Sequence, residues 1–336
     1  MVQLKQEEII EIKEEKENTF KNMIFWLGRN LKFLFIPGSR LEELSFRESE
    51  YEKTISKRKF IRRLKSILTI LGIVIVFSVV TLAIFGTWIA PFTFDDANGL
   101  WLDPWAMPTP EHPLGTTKFG RDILARIIYG ARSSITIALP AITFSVIFGV
   151  MIGVISGYYR GWVDTIIMRI MDVFLAFPGI VLALVFIAIL GQEMQWIMLA
   201  YGILGIPYYA RLIRGSVLQA RQLPYIDAAK VAGSGNWRIM FRHVLPNCIQ
   251  PIIISFTFDI GGIILSLAGL SFLGFSDWRL IEWGNDINIA RERLWDITHF
   301  PHAAFWPGFM ILITVLGFML VGDGLRDALD PRLKNL

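Results

Sequence analysis

Two places in this chain carry side chains whose types and spacing point to work beyond packing. The first is the segment 225–247, where Tyr225, Asp227, Lys230, Arg238, Arg242 and His243 lie between two strongly apolar runs. The composition predicts two short helices joined at Gly233, because glycine adopts turns that other residues resist. Ala228, Ala229 and Ala232 supply a small-residue face. Asp227 near a helix start favours the helix dipole, and Pro246, after Leu245, is expected to stop the second helix. The chemistry of such an elbow is mechanical: it carries force between a membrane bundle and a partner surface. The second place is Asp259, the one carboxylate in the apolar run 248–276. An ionisable group there is costly and faces a cavity or a partner. Two roles stand open for it, lining a pore or hydrogen-bonding another helix. Gly261, Gly262 and Pro178 are candidate gating positions in the same runs, where glycine and proline otherwise serve kinks and close helix contacts.

Other chemistry finds no support. His112, His243, His299 and His302 are scattered along the chain, and the His299/His302 pair flanks Pro301 with no carboxylate at ligand spacing. A single cysteine, Cys248, excludes an internal disulfide and a cysteine-cluster metal site. No GxxxxGK[ST] phosphate loop is present, so ATP binding of the P-loop kind is not expected of this chain. No catalytic residue and no cofactor is assigned to it.

These groups need elements to hold them. Of the 336 residues 54% are hydrophobic, and the mean hydropathy is +0.51. The apolar residues are gathered into runs, and a spanning helix needs about 20 of them. The fold class is therefore all-α and polytopic, with six spans near 67–90, 133–159, 165–192, 194–213, 247–276 and 303–322. No cleavable signal peptide is evident before the first span. The net charge of +4 fits basic loops at a membrane surface and not a nucleic-acid site. Lys53, Lys57, Arg58, Lys59, Arg62, Arg63 and Lys65 precede span one; Arg211, Arg214, Arg221, Lys230, Arg238 and Arg242 follow span four. Both groups are expected on the cytoplasmic side, with both termini, in a multi-pass protein of the plasma membrane. Trp88, Trp101, Trp105, Trp196, Trp278, Trp283, Trp295 and Trp306 then fall at the outer boundary or in outer loops, as interface anchors or as packed aromatics. Asp164, Arg169 and Asp172 are expected to pair at helical spacing. Arg326 is expected to form a helix-end network with Asp323, Asp327 and Asp330. Residues 1–66 read as a charged cytoplasmic tail with an amphipathic interfacial helix over 20–36. Residues 67–325 form the membrane domain, with the loop 220–246 inside it, and 323–336 close the chain as a second tail.

Taken together, these stretches resemble a known family. The order Asp-Ala-Ala, three residues, Gly, then Leu245-Pro246 is similar to the EAA loop of ABC-importer permeases, with Asp227 in place of the usual Glu. HPLGTTKFGRDILARIIYGARSS at 112–134 looks like the segment before the second span in the C-type subunit of dipeptide and oligopeptide permeases, with Thr117 where Asp is usual. GYYRGWVD at 157–164, MRIMD at 168–172, YARLIRG at 209–215, LSFLG at 270–274 and GDGLRDALDPRL at 322–333 continue the resemblance. The double proline expected after Gly274 is missing; WRLIEWG at 278–284 stands there. The resemblance runs from about residue 65 to the C-terminus and implies a type I permease fold with cytoplasmic coupling helices. It implies a second, B-type permease, two ATPase subunits that hold ATP and Mg, and an extracytoplasmic solute-binding protein. Closure of the ATPases would push on 222–242 and turn the bundle from inward-open to outward-open. The solute path would lie between the two permeases, lined mainly by spans three to five. The implied cargo is a dipeptide or oligopeptide; nickel chelates, glutathione and oligosaccharides are alternatives within the family. A secondary transporter would want more intramembrane carboxylates, and a membrane-anchored enzyme would want catalytic groups converging at one face.

Overall fold

The structure is a computed structural model that describes residues 64, 66–99, 103–277, 279–291 and 302–329. The expected tail and interfacial helix, the basic side chains at 53–63 and 65, Trp101, Trp278, Trp295, His299 and Asp330 lie outside these residues.

Among the described residues the chain is helical, with a single isolated bridge between Thr116 and Asp122. The helices are α1 Ile67–Ile89, α2 Phe94–Asn98, α3 Ile123–Tyr159, α4 Gly161–Leu175, α5 Gly179–Leu190, α6 Met194–Ala220 and α7 Pro224–Val231. They continue with α8 Asn236–Arg238, α9 Leu245–Cys248, α10 Gln250–Phe272, α11 Trp283–Ala290 and α12 His302–Leu329. Five of them, α1, α3, α6, α10 and α12, are long and apolar enough to cross a membrane. The third expected span is not one helix. It is the pair α4 and α5, bent by 87°. Pro178 caps α5 and restricts Phe177 to a non-helical backbone, so the helix must end there. Counted as one broken span, the pair brings the number to six.

α3 also departs from expectation. It begins at Ile123, ahead of the predicted 133, because Asp122 caps it by accepting from the Ala125 N–H at 2.7 Å. It packs most extensively against α6. The contact is built on Gly149, Gly153 and Gly157, one per turn. A Cβ on Gly149 would strike Tyr209, and one on Gly153 would strike the Ala210 carbonyl. Small residues at this spacing let two helix backbones approach where no hydrophobic force acts between them. Ser145 reinforces the crossing by donating to the Gly202 carbonyl at 2.7 Å. α1 packs on α12 and α12 on α10, which closes the bundle.

At the end of the bundle where α3 begins, a small polar module ties helices together. Arg126 donates from Nε to Asp286 at 2.6 Å and from Nη1 to the Ala97 carbonyl and Asn98. Both members of the ion pair are buried. Trp283 is fully buried and donates to the Ile127 carbonyl at 3.0 Å. It is a packed aromatic, so the interface-anchor reading fails for it, whereas Trp88 is 79% exposed at the end of α1.

Candidate functional site

The elbow is present, and its root is in the bundle. Pro224 opens α7, where its missing N–H costs nothing. Asp227 sits in the first turn and pairs with Lys230 at 2.8 Å. Gly233 turns the chain with φ +76°, a conformation that costs a residue with a Cβ about 1–2 kcal/mol. The chain then runs through α8, a π-helical turn at Ile239–Val244, and α9. Here the sequence reading needs correction. Pro246 does not stop the helix; it lies in the first turn of α9, and the wide π turn before it absorbs the lost hydrogen bond.

Burial separates the elbow into two faces. Ile226, Ile239, Met240 and Val244 are buried in the main core, and Ala229, Phe241 and Leu245 pack against it. Ala228, Ala232, Gly233 and Arg238 are exposed. So are Tyr225, Trp237 and Val231, the last at 90%. The small-residue face is therefore divided: Ala228 and Ala232 look out, and Ala229 looks in. Tyr158 donates to Asn236 at 3.0 Å and Arg221 donates to the Tyr158 carbonyl, so the elbow is anchored to the end of α3.

Two ion pairs brace the neighbouring helix α4. Asp164 takes a bidentate pair from Arg214, with both bonds 2.6 Å long, and Asp172 pairs with Arg211. The expected pairing within α4 is not what forms. Arg169 stays exposed, and both carboxylates reach across to α6 because the α6 guanidiniums face them.

Asp259 makes an interhelical hydrogen bond and borders a cavity. Tyr209 of α6 donates to its Oδ2 at 2.6 Å, and the residue also lines a cavity of about 470 Å³. α3, α5, α6 and α10 all contribute to the wall. Of the other gating candidates, Gly262 lines the cavity. Gly261 points the other way, with Val315 and Phe318 of α12 within 3.6 Å of where its Cβ would be, and acts as a packing residue. Pro178 stands at the α4–α5 bend beside Gly179, which lines the cavity. Sequence reasoning passed over Ser145, Tyr201, Tyr208, Tyr209 and Ser266 in this wall. The stripe Ser255, Asp259, Gly262, Ser266 was visible as a helical period of weakly polar residues in an apolar run.

The polar module at the other end has a distinctive electrostatic setting. Burial pushes the Glu282 carboxyl up to about 7, against hydrogen bonds from Ser271 and from the Asn285 and Gly284 N–H groups. Burial also raises Asp286, against the pull of Arg126. Arg121 is pushed down by burial and by the neighbouring Arg126. Thr117 is buried in this region and accepts from the Arg121 N–H at 3.3 Å, so the turn is closed here by a hydroxyl.

Residues 149–335 match the family model described as binding-protein-dependent transport system inner membrane component. The dipeptide transport system permease protein DppC of Alkalihalophilus pseudofirmus is 40% identical over 290 residues, which is 86% of this chain and 94% of that protein. The glutathione transport system permease protein GsiD of Pectobacterium atrosepticum is 44% identical over 229 residues, covering 68% of this chain and 75% of that one. GsiD of Escherichia coli O157:H7 is 40% identical over 263 residues, covering 76% and 84%.

Proposed function

Since this chain belongs to the family of inner membrane components of binding-protein-dependent transport systems, we propose that it is the permease subunit of an ATP-driven importer of short peptides. Glutathione is itself a short peptide, so both relatives fall within that solute class. The elbow over 220–246 is the docking element for separate ATPase subunits, which hold the ATP and Mg. The bundle pairs with a second, B-type permease, and a solute-binding protein delivers cargo on the extracytoplasmic side. Both termini and the elbow lie in the cytoplasm, in keeping with the Lys and Arg around 211–242.

One observation carries the docking role. The elbow is rooted by four buried side chains yet presents Val231 at 90% exposure beside Ala228, Ala232 and Gly233. With Leu223, Tyr225 and Trp237 of the same elbow also exposed, Val231 adds to an apolar surface of the kind that fits a partner. A push on that face passes through Ile226 and Met240 into the core, and through Arg221 into the end of α3.

Co-purification tests this reading. Val231→Asp and Ala232→Arg change outward-facing positions only. Each is expected to lose the ATPase subunits from the purified complex, while the second permease stays bound and the thermal midpoint is unchanged. An importer that keeps its ATPases and its transport rate in both variants removes the docking assignment.

A further inference from the structure

We propose that Asp259 holds the protonated amino group of the solute in transit; this rests on the peptide-importer reading above. Carboxylates elsewhere in the bundle have cations of their own: Asp164 has Arg214, Asp172 has Arg211, and Asp286 has Arg126. Asp259 has a neutral partner instead. The Tyr209 phenol donates to its Oδ2 at 2.6 Å, and among the described residues no Lys, Arg or His forms an ion pair with it. The cavity wall contains no Lys, Arg or His, and Asp259 is its one carboxylate. The rest of the wall is uncharged: aliphatic and aromatic side chains with the hydroxyls of Ser145 and Ser266. The Asp259 end of the cavity therefore favours an ammonium group over a carboxylate.

The rest of the wall narrows the class of cation. A hard metal ion takes six or more oxygens, several of them charged; this wall supplies a single carboxylate. The rings of Tyr208 and Tyr209 lie 5.2 Å apart edge to face, and their π faces suit an ammonium group. Gly262 and Ser266 continue the Asp259 face of α10 along the cavity, and both are exposed. No atom of another helix lies within 4 Å of where a Gly262 Cβ would be. A volume of about 470 Å³ lies inside the ~300–1,000 Å³ range of small-molecule sites. A short peptide offers an ammonium at one end, an amide behind it and a carboxylate at the far end, which the Asp259 charge keeps away from itself. The wall offers a carboxylate first and then the hydroxyl of Ser266 about two turns on. A single ion pair also suits a path that must release what it binds.

The experiment uses the assembled importer in proteoliposomes with its solute-binding protein, and radiolabelled Ala-Ala and Ala-Ala-Ala as probes. Asp259→Asn keeps the size and still accepts the Tyr209 hydrogen bond, so it removes only the charge. Its maximal transport rate is expected to fall at least about tenfold, with Asp259→Glu recovering most of the loss. ATP hydrolysis stimulated by the binding protein should persist in both, which separates lost charge from lost fold. Ser266→Lys, at an exposed position, sets a cation in the same cavity and is expected to depress transport comparably. Wild type that moves the probes while Asp259→Asn and Ser266→Lys keep at least half its rate overturns the inference alone. Wild type that moves neither probe overturns the peptide reading, and the inference with it.

Discussion

Glu282 shows how one carboxyl sets a pH response. Its Oε2 accepts from the Gly284 and Asn285 N–H groups and so caps α11, yet its full burial favours the protonated form. The folded pKa, about 7, exceeds the ordinary 4.5. The folded state therefore keeps a proton that the unfolded chain releases across that window, and ∂ΔG/∂pH is negative there. The stabilisation is fully present below about 4.5 and is lost as pH rises through about 7, at most about 3 kcal/mol for the whole window. The thermal midpoint of the detergent-solubilised protein should fall between pH 5 and pH 8, and Glu282→Gln should flatten that slope. An unchanged slope in the Gln variant would place the dependence on other groups. The identity of this residue was plain in the sequence, but its burial was not, because Glu282 lies between two apolar runs and is enclosed only where α10 and α11 pack together.

The helix pair α3–α6 depends on backbone proximity. Gly149, Gly153 and Gly157 recur every four residues, and the space opposite each is filled by α6. Gly153→Leu would drive a side chain into the Ala210 carbonyl and Ile213. Overpacking of this kind costs about 3 kcal/mol. The variant should show reduced yield and a lower thermal midpoint, whereas Gly262→Leu, facing open space, should keep the wild-type midpoint and obstruct transport. Equal midpoints for Gly153→Leu and wild type would mean that α6 shifts to make room. The four-residue period was readable in advance; which helix it met was not. The α4–α5 bend follows the same logic. Pro178 announced a break, but an apolar run on both sides of it gave no measure of the 87° angle.

For the molecule as a whole, the six-span count, with one span broken, makes a directional prediction. α3 and α6 run parallel, since Gly149, Gly153 and Gly157 meet Tyr209, Ala210 and Val217 in that order, so the elbow at 220–246, after α6, and the turn-rich segment at 103–122, before α3, sit at opposite ends of the bundle. Cys248 is the only cysteine and is buried, so a Cys248→Ser background gives a clean labelling frame. A membrane-impermeant maleimide should modify Glu111→Cys in intact cells and Lys230→Cys only after permeabilisation. The reverse pattern would put the elbow outside and remove any ATPase from its reach.

What the amino-acid order determined was everything governed by transfer into lipid: the helical class, the approximate spans, the charged ends, and an elbow at Gly233. Those follow from local composition, because in a bilayer each span must satisfy its own backbone and bury its own apolar surface. Tertiary structure alone decided the pairings. It paired Asp164 and Asp172 of α4 with Arg214 and Arg211 of α6 in place of Arg169, sent Gly261 into packing and Gly262 into the cavity, and buried Trp283 and Glu282. Each of those outcomes depends on which face of one helix meets another. That is fixed by shape across residues distant in sequence, and no stretch of the chain holds it alone.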